Sequence, residues 1–294
     1  MIGSCFILLE STSLQQLLYG IVLGIVQGIS EWLPVSSKTQ IMVVSQYLLK
    51  LSFTQAYAFG LFMEIGTIAA ALIYFRKEVF SLINFVLGRG SKQDGMLFRY
   101  VLVSTVLTGM IGAPLFFIID SIGSSYNIGI PAILMGILLI CDAFLIKYAR
   151  KREALSRGRK KLPQMHLMDY VIVGIAQGIS ALPGVSRSGA TTSTLLLLGV
   201  DTSEAFRLSF IDMIFATSGA VALTLIVSRD SIASSIALIG LAGLAVSIII
   251  ATLVSLLLID SLLKIAKKSS IVYFIAALGA IALGGGIIAL LLIA

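Results

Sequence analysis

Six stretches of this 294-residue chain are long, apolar and poor in charge. They run over 56–75, 98–119, 129–147, 204–228, 232–259 and 270–293. A helix rises ~1.5 Å per residue and needs about 20 apolar residues to cross a ~30 Å hydrocarbon layer. Each stretch therefore predicts a transmembrane helix. A membrane β-barrel would alternate polar and apolar residues in segments of about ten, which is not the pattern here. With 58% hydrophobic and only 12% charged residues, the chain has too little charge to coat a water-facing surface. A soluble enzyme, a nucleic-acid-binding domain, a disordered chain and a secreted disulfide scaffold are excluded. The expected class is an all-α polytopic membrane protein. The net charge of +7 then reads as positive-inside bias rather than affinity for nucleic acid. Cys5 and Cys141 form no CxxC pair, so neither a metal site nor a structural disulfide is expected from them. Residues 1–9 are too few to span and lack the features of a signal peptide; an N-terminal extension is expected there.

Two further apolar stretches, 14–50 and 168–200, are each interrupted. The first breaks at Glu31-Trp32-Leu33-Pro34-Val35-Ser36-Ser37-Lys38, the second at Leu182-Pro183-Gly184-Val185-Ser186-Arg187-Ser188. The pieces on either side are about ten to fifteen residues, the length of a half-helix that enters the membrane and returns. Broken backbone at membrane depth is tolerated only where protein buries it or it lines a wet cavity. Both breaks should therefore face an internal site.

Lysine and arginine orient the chain. Clusters fall between 76 and 99, between 147 and 161, and at Lys264, Lys267 and Lys268. The connection at 120–128 has none, and 229–231 has only Arg229. With all three clusters on the cytoplasmic side, the spans alternate consistently. The hairpin at 14–50 then enters from outside and that at 168–200 from inside.

Gly24-Ile25-Val26-Gln27-Gly28-Ile29-Ser30 recurs as Gly174-Ile175-Ala176-Gln177-Gly178-Ile179-Ser180, and Val35-Ser36 as Val185-Ser186. Ala58-Phe59-x-Leu61 answers Ala205-Phe206-x-Leu208, and Glu64 answers Asp212. The chain thus divides into a first repeat, 1–150 (hairpin 14–50, then spans 56–75, 98–119 and 129–147, with the basic loop from 147), and a second, 151–294 (hairpin 168–200, then spans 204–228, 232–259 and 270–293). Each holds one re-entrant hairpin and three crossings. The odd number of crossings inverts the second repeat, which brings both breaks to one central location.

Charge deep in a bilayer is costly and usually marks function. The candidates are Glu31, Lys38, Glu64, Arg187, Arg207 and Asp212. The second break resembles an anion cradle. Gly184 and Gly189 allow close backbone approach, and Ser186, Ser188, Thr191 and Thr192 supply hydroxyls. Arg187 offers a planar fork suited to phosphate, at the start of a half-helix whose free N–H groups aim the same way. The first break mirrors this with Ser36, Ser37, Lys38 and Thr39, and adds the carboxylate of Glu31. Phosphate or diphosphate is the expected ligand. Glu64 either joins the site or pairs with a neighbouring helix. Trp32 either floors the pocket or packs. Asp142 is expected at a membrane edge near Lys147, and His166 in a solvated loop.

The motifs Gln27-Gly28-Ile29-Ser30-Glu31-Trp32-Leu33-Pro34-Val35-Ser36-Ser37 and Pro183-Gly184-Val185-Ser186-Arg187-Ser188-Gly189-Ala190-Thr191 resemble the two signatures of the undecaprenyl-diphosphate phosphatases of the bacitracin-resistance type. The likeness covers nearly the whole chain, repeat order and span count included. It implies hydrolysis of a polyprenyl diphosphate to the monophosphate carrier lipid, on the outer face of the plasma membrane, with Mg2+ or Ca2+. It implies Glu31 as an essential carboxylate, Ser36 and Ser37 as catalytic-loop serines and Arg187 as the phosphate-binding arginine. The chain departs from the family at Gln40, which stands where the first motif usually has histidine, and at Gln27, where some members have a second glutamate. Glutamine cannot shuttle a proton near neutrality, so a phosphohistidine route is not expected.

On this reading Glu31, Ser36, Ser37 and Arg187 are catalytic, and Glu31 with Glu64 would hold the divalent ion. Gln27, Lys38, Gln40, Gly184, Ser186, Ser188, Gly189 and Thr191 would bind the diphosphate. The attacking atom is either Ser37 Oγ or a metal-bound water. The expected partners are the lipid substrate and the bilayer, with no nucleic acid; the oligomeric state is left open, a homodimer included. The competing reading is a polyprenyl-phosphate transporter or flippase that uses the same anion site without hydrolysis.

Overall fold

The computed structural model describes residues 2–123, 129–155, 160–268 and 270–293. Arg157 and Arg159 of the basic loop, most of the 120–128 connection and the side chain of Cys5 lie outside the described residues. Among those described, the chain is built from α1 (Ile2–Ser30), α2 (Ser37–Leu49), α3 (Phe53–Phe62), α4 (Ile65–Tyr74), α5 (Arg76–Val86), α6 (Lys92–Gly123), α7 (Gly129–Leu155), α8 (Leu167–Ile179), α9 (Arg187–Leu197), α10 (Thr202–Val227), α11 (Arg229–Ala266) and α12 (Ile271–Ile293). Among the described residues seven segments are long and apolar enough to cross a membrane. Six are the expected spans. The seventh, Ser13–Ser30, was expected as a short hairpin limb. Its helix α1 instead starts at Ile2, so the expected extension and the limb are one continuous helix.

Local sequence sets several helix starts. Ser52 and Gln55 form a capping box at α3, and Asp201 Oδ1 accepts the Ser203 N–H at 3.0 Å to open α10. The expected 56–75 span differs from the expectation. It is two helices, with a turn at Met63-Glu64 between α3 and α4. The Thr67 hydroxyl donates to the Glu64 carbonyl at 2.8 Å within that turn. Helix α5 was not expected. It is an amphipathic segment whose Phe80, Ile83 and Val86 stay exposed.

Small residues let the long helices approach. A Cβ on Gly24 would lie 2.6 Å from the Ser247 carbonyl oxygen, so α1 lies directly on α11. The matching residue of the second repeat, Gly174, sits 2.7 Å from the Ser104 carbonyl oxygen by the same measure, so α8 lies on α6. Gly136 and Gly279 close the α7–α12 contact. The repeated glycines are thus helix-packing positions, and the polar residues between them are left to face elsewhere.

The three basic clusters converge on one end of the bundle. Arg150 donates to the Lys268 carbonyl at 2.5 Å and to the Ala266 carbonyl, which ties the end of α7 to the end of α11. Arg207 donates to Glu78 at 3.1 Å, which ties the start of α10 to the start of α5. Lys267 Nζ lies 5.8 Å from the Phe206 ring centroid. At the opposite end Ser228 meets Asp120 at 3.4 Å and Gln55 meets Ser234 at 3.0 Å. Arg207, expected among the deep charges, therefore belongs to a half-exposed ion network with Glu78 and Glu204.

Replacing Gly24 or Gly174 with leucine should destabilise the bundle by about 1–3 kcal/mol through overpacking, seen as a lower melting temperature in detergent. Gly284→Ala is the control, because a Cβ there meets nothing within 4 Å; it should melt no lower than the native chain.

Candidate active site

The chain leaves α1 at Ser30, turns through 31–36 and starts α2 at Ser37. Ser36 turns it with φ 58° and ψ 79°, a left-handed conformation that costs a non-glycine residue ~1–3 kcal/mol unless its surroundings enforce it. Its hydroxyl meets Thr39 Oγ1 at 2.8 Å and donates to the Val185 carbonyl at 3.3 Å. The second break makes its left-handed turn two residues earlier than the matching position, at Gly184 with φ 97°. A Cβ there would also lie 2.8 Å from the Met135 carbonyl oxygen on α7, so glycine is required twice over. Helix α9 then starts at Arg187, capped by Ser186 Oγ, which accepts the Gly189 N–H at 3.1 Å.

The two breaks are stitched to each other. The Gly184 N–H donates to Thr39 Oγ1 at 2.9 Å. Ser188 donates to the Leu33 carbonyl at 3.3 Å, and Lys38 Nζ donates to the Ser180 carbonyl. Tyr57 of α3 donates to the Ala181 carbonyl at 2.9 Å. These contacts satisfy backbone groups that the broken helices would otherwise leave open inside a membrane.

Arg187 sits at the centre of charge. One terminal nitrogen pairs with Glu31 Oε1, and the other donates to Glu64 Oε2 at 3.1 Å and to Thr217. The second oxygen of Glu31 accepts from Ser37 Oγ at 2.7 Å and from Gln27 Nε2 at 2.8 Å. Gln27 also donates to Thr67 at 3.2 Å. All of Glu31, Glu64, Ser37 and Lys38 are buried. Beside them lies a cavity of about 310 Å³ lined by Glu31, Ser36, Ser37, Lys38, Glu64, Ser186, Arg187 and Ser188, among others. Ser37 and Lys38 begin α2, and Arg187 and Ser188 begin α9. The first turn of a helix has N–H groups with no intrahelical acceptor, and two such turns meet at this cavity. Such a pair of helix starts can receive an anion, and the same lining carries the carboxylates of Glu31 and Glu64.

Not every expected ligand faces the cavity. Gln27 orients Glu31 from behind. Gln40, at the position where the resembled family has histidine, donates back to the Val35 carbonyl at 3.0 Å and does not line the cavity. Gly184 packs on α7, Gly189 receives the Ser186 cap, and Thr191 lies 2.5 Å from Ser209. Trp32 packs, fully buried, against Phe210 with ring centroids 5.1 Å apart. Asp212 is fully buried and accepts from Ser104 at 2.8 Å and Thr105 at 3.2 Å, outside the cavity lining. Asp142 corrects the expectation. It is buried rather than at a membrane edge, and Oδ2 accepts the Ser186 N–H at 2.5 Å, which fixes the second break to α7. His166 is exposed at the start of α8, as expected. Thr67 and Thr217 were missed; Thr67 is a lone threonine in an apolar run and Thr217 sits beside Ser218 in a small-residue stretch, with no local pattern to single either out.

Residues 20–284 match the family described as bacitracin resistance protein BacA. The chain belongs to that family. A relative from Saccharolobus solfataricus named undecaprenyl-diphosphatase is 45% identical over 273 residues, 92% of this chain and 96% of the relative. A second so named, from Sulfurisphaera tokodaii, is 43% identical over 92% of this chain and 98% of its own length. A third, from Pyrobaculum aerophilum, is 39% identical over 91% and 96% respectively. The family match covers both breaks and all seven spanning segments in whole or in large part.

Thr39→Val should lower stability by about 1–3 kcal/mol, because it strips the Gly184 N–H and the Ser36 hydroxyl of a buried partner. Thr39→Ser should restore it. Thermal unfolding in detergent reads both.

Proposed function

We propose that this chain is an integral membrane phosphatase of the plasma membrane. It hydrolyses a polyprenyl (undecaprenyl-type) diphosphate to the monophosphate carrier lipid and phosphate. The observation that carries the reading is the 2.7 Å contact from Ser37 Oγ to Glu31 Oε2, in a cavity that also presents Arg187 and two helix N-termini. A hydroxyl bonded to a carboxylate is a nucleophile with its base. A guanidinium and first-turn N–H groups stabilise charge on a transferring phosphoryl group. The names of the relatives favour hydrolysis over transport by the same site.

In this reading the terminal phosphoryl group enters beside Arg187 and the first turns of α2 and α9. Ser37 Oγ attacks the terminal phosphorus as Glu31 takes its proton. The bond from that phosphorus to the bridging oxygen breaks, and the polyprenyl monophosphate leaves. Glu31 gives that proton to the departing monophosphate. Water then attacks the phosphoserine; Glu31 takes a proton from the water and returns it to Ser37 Oγ as the bond from phosphorus to Oγ breaks, and phosphate departs. Lys38 and Arg187 supply positive charge throughout, and Gln27 keeps Glu31 turned toward Ser37.

The donor set suits a hard divalent cation. Glu31 and Glu64 offer oxygen ligands, and Mg2+ is commonly held by one or two carboxylates together with substrate phosphate. No group of three histidine, cysteine, aspartate or glutamate side chains among the described residues would hold a metal without such help. The charge balance points the same way. If Arg187 turns to phosphate, its two carboxylates lose their partner, and Glu31 and Glu64 holding Mg2+ or Ca2+ would restore it. When bound, the ion would neutralise charge on the phosphoryl oxygens.

The site faces the outer side in this reading. The cavity is lined by residues from Thr105 to Phe116 on α6 and from Ala216 to Leu223 on α10, toward the end away from the basic clusters. The positive-inside rule makes the basic end cytoplasmic. Residues 1–150 and 151–294 form the two inverted repeats. The like packing of Gly24 and Gly174 supports this, as does the attachment of α2 and α9 to opposite ends of the bundle.

Purified protein in detergent should release phosphate from a long-chain polyprenyl diphosphate and lose that activity on chelation of divalent metal. Glu31→Gln should lower kcat by about 10²-fold or more, the usual loss of a general base, and Arg187→Lys by a comparable factor through loss of bidentate contact. Gln40→His should leave kcat unchanged, since Gln40 is turned away from the cavity. No phosphate release from the native chain would end the hydrolytic reading.

A further inference from the structure

A second hollow of about 420 Å³ lies between α5, α6 and α10, and its lining includes Val79, Leu82, Val86, Leu102, Phe215 and Thr105. Among the described residues Thr105 is the sole polar one in that lining, and it also lines the charged cavity. The two spaces adjoin again on α10, where Phe215 faces the groove and the next residue, Ala216, faces the cavity. On α6 the groove takes the stretch from Phe98 to Thr105 and the cavity takes the stretch from Thr105 onward. A charged chamber and an apolar channel are thus stacked along the same two helices. At ~1.5 Å per residue the groove stretch of α6 is about 10 Å long, enough for the first few isoprene units.

We propose that this groove binds the prenyl chain of the diphosphate whose head occupies the cavity, with Thr105 at the junction of head and tail. The inference rests on the phosphatase reading for the identity of the head group. The order of the two chambers fits an amphiphile that enters head-outward: the anion rests among Arg187, Lys38 and the helix starts, and the chain runs on toward the basic end. Helix α5 supplies one wall with Val79, Leu82 and Val86. It is held at its start by the Arg207–Glu78 pair and near its end by Phe85 against Phe98, with ring centroids 5.3 Å apart. This gives α5, which no other part of the site requires, a definite task. The occupant set against this one is the acyl chain of an ordinary bilayer phospholipid.

The test is photolabelling of the full-length protein in detergent with farnesyl diphosphate carrying a diazirine on its chain, read by mass spectrometry. Labels should fall on α5 and on 98–105 of α6, and unlabelled farnesyl diphosphate should compete where phospholipid does not. Labels scattered over other lipid-facing helices, or displaced equally by phospholipid, would overturn the proposal. Binding is read here without turnover, so labelling of the groove by a chain that releases no phosphate would sink the phosphatase reading and leave the groove standing. Leu102→Trp and Val86→Trp give an independent measure, since both residues are exposed, at 49% and 65%, and tolerate bulk. Each should weaken farnesyl diphosphate binding about ten-fold, the equivalent of roughly two displaced methylene groups, and leave dimethylallyl diphosphate binding unchanged. Equal losses for both ligands, or none for either, would contradict the assignment.

Discussion

The fork of Arg187 between Glu31 and Glu64 holds this structure together at its centre. Each of the three charges lies on a different broken element: the first break, the turn between α3 and α4, and the start of α9. None is tolerable alone in an apolar bundle. Removing one partner of such a buried pair costs on the order of 3–5 kcal/mol. The three breaks are therefore mutually dependent. The polar stitches around them, from Thr39 to Gly184 and from Asp142 to Ser186, satisfy the backbone that the breaks expose.

The same arrangement accounts for the proposed chemistry. In the state described here the arginine is neutralised by carboxylates, and Ser37 is held on Glu31. An arriving diphosphate competes for the guanidinium. The exchange frees carboxylate oxygens beside a hydroxyl and beside positions suited to a hard cation. Binding of the anion and activation of the site are then parts of a single redistribution of charge.

Much of this was legible in the sequence. Six spans follow from hydropathy alone. The two breaks follow from Pro34 and Pro183 beside polar runs, and the meeting of Glu31 with Arg187 was expected from the recurrence of the stretches Gly24–Ser30 and Gly174–Ser180 that precede the two breaks. What escaped has physical causes. The turn at Met63-Glu64 lies in an unbroken apolar run, and only the tertiary demand that Glu64 reach Arg187 places it there. Asp142 lies near a basic cluster in sequence, but its register on α7 turns it toward Ser186. Arg207 lies within an apolar stretch, yet it is only a turn or so into α10, where Glu78 can reach it. Helix α5 is too short and too charged at its start to read as a span. At Gln40 the motif alone does not show the local contact: its carboxamide donates to the Val35 carbonyl and closes the loop on its own backbone.

The most direct test is an experimental structure with orthovanadate bound in the presence of Mg2+. The vanadium should lie in the cavity within bonding reach of Ser37 Oγ, with its oxygens on the Arg187 guanidinium and the first turns of α2 and α9. Vanadate bound elsewhere, with the Arg187 pairs to Glu31 and Glu64 undisturbed, would contradict the account.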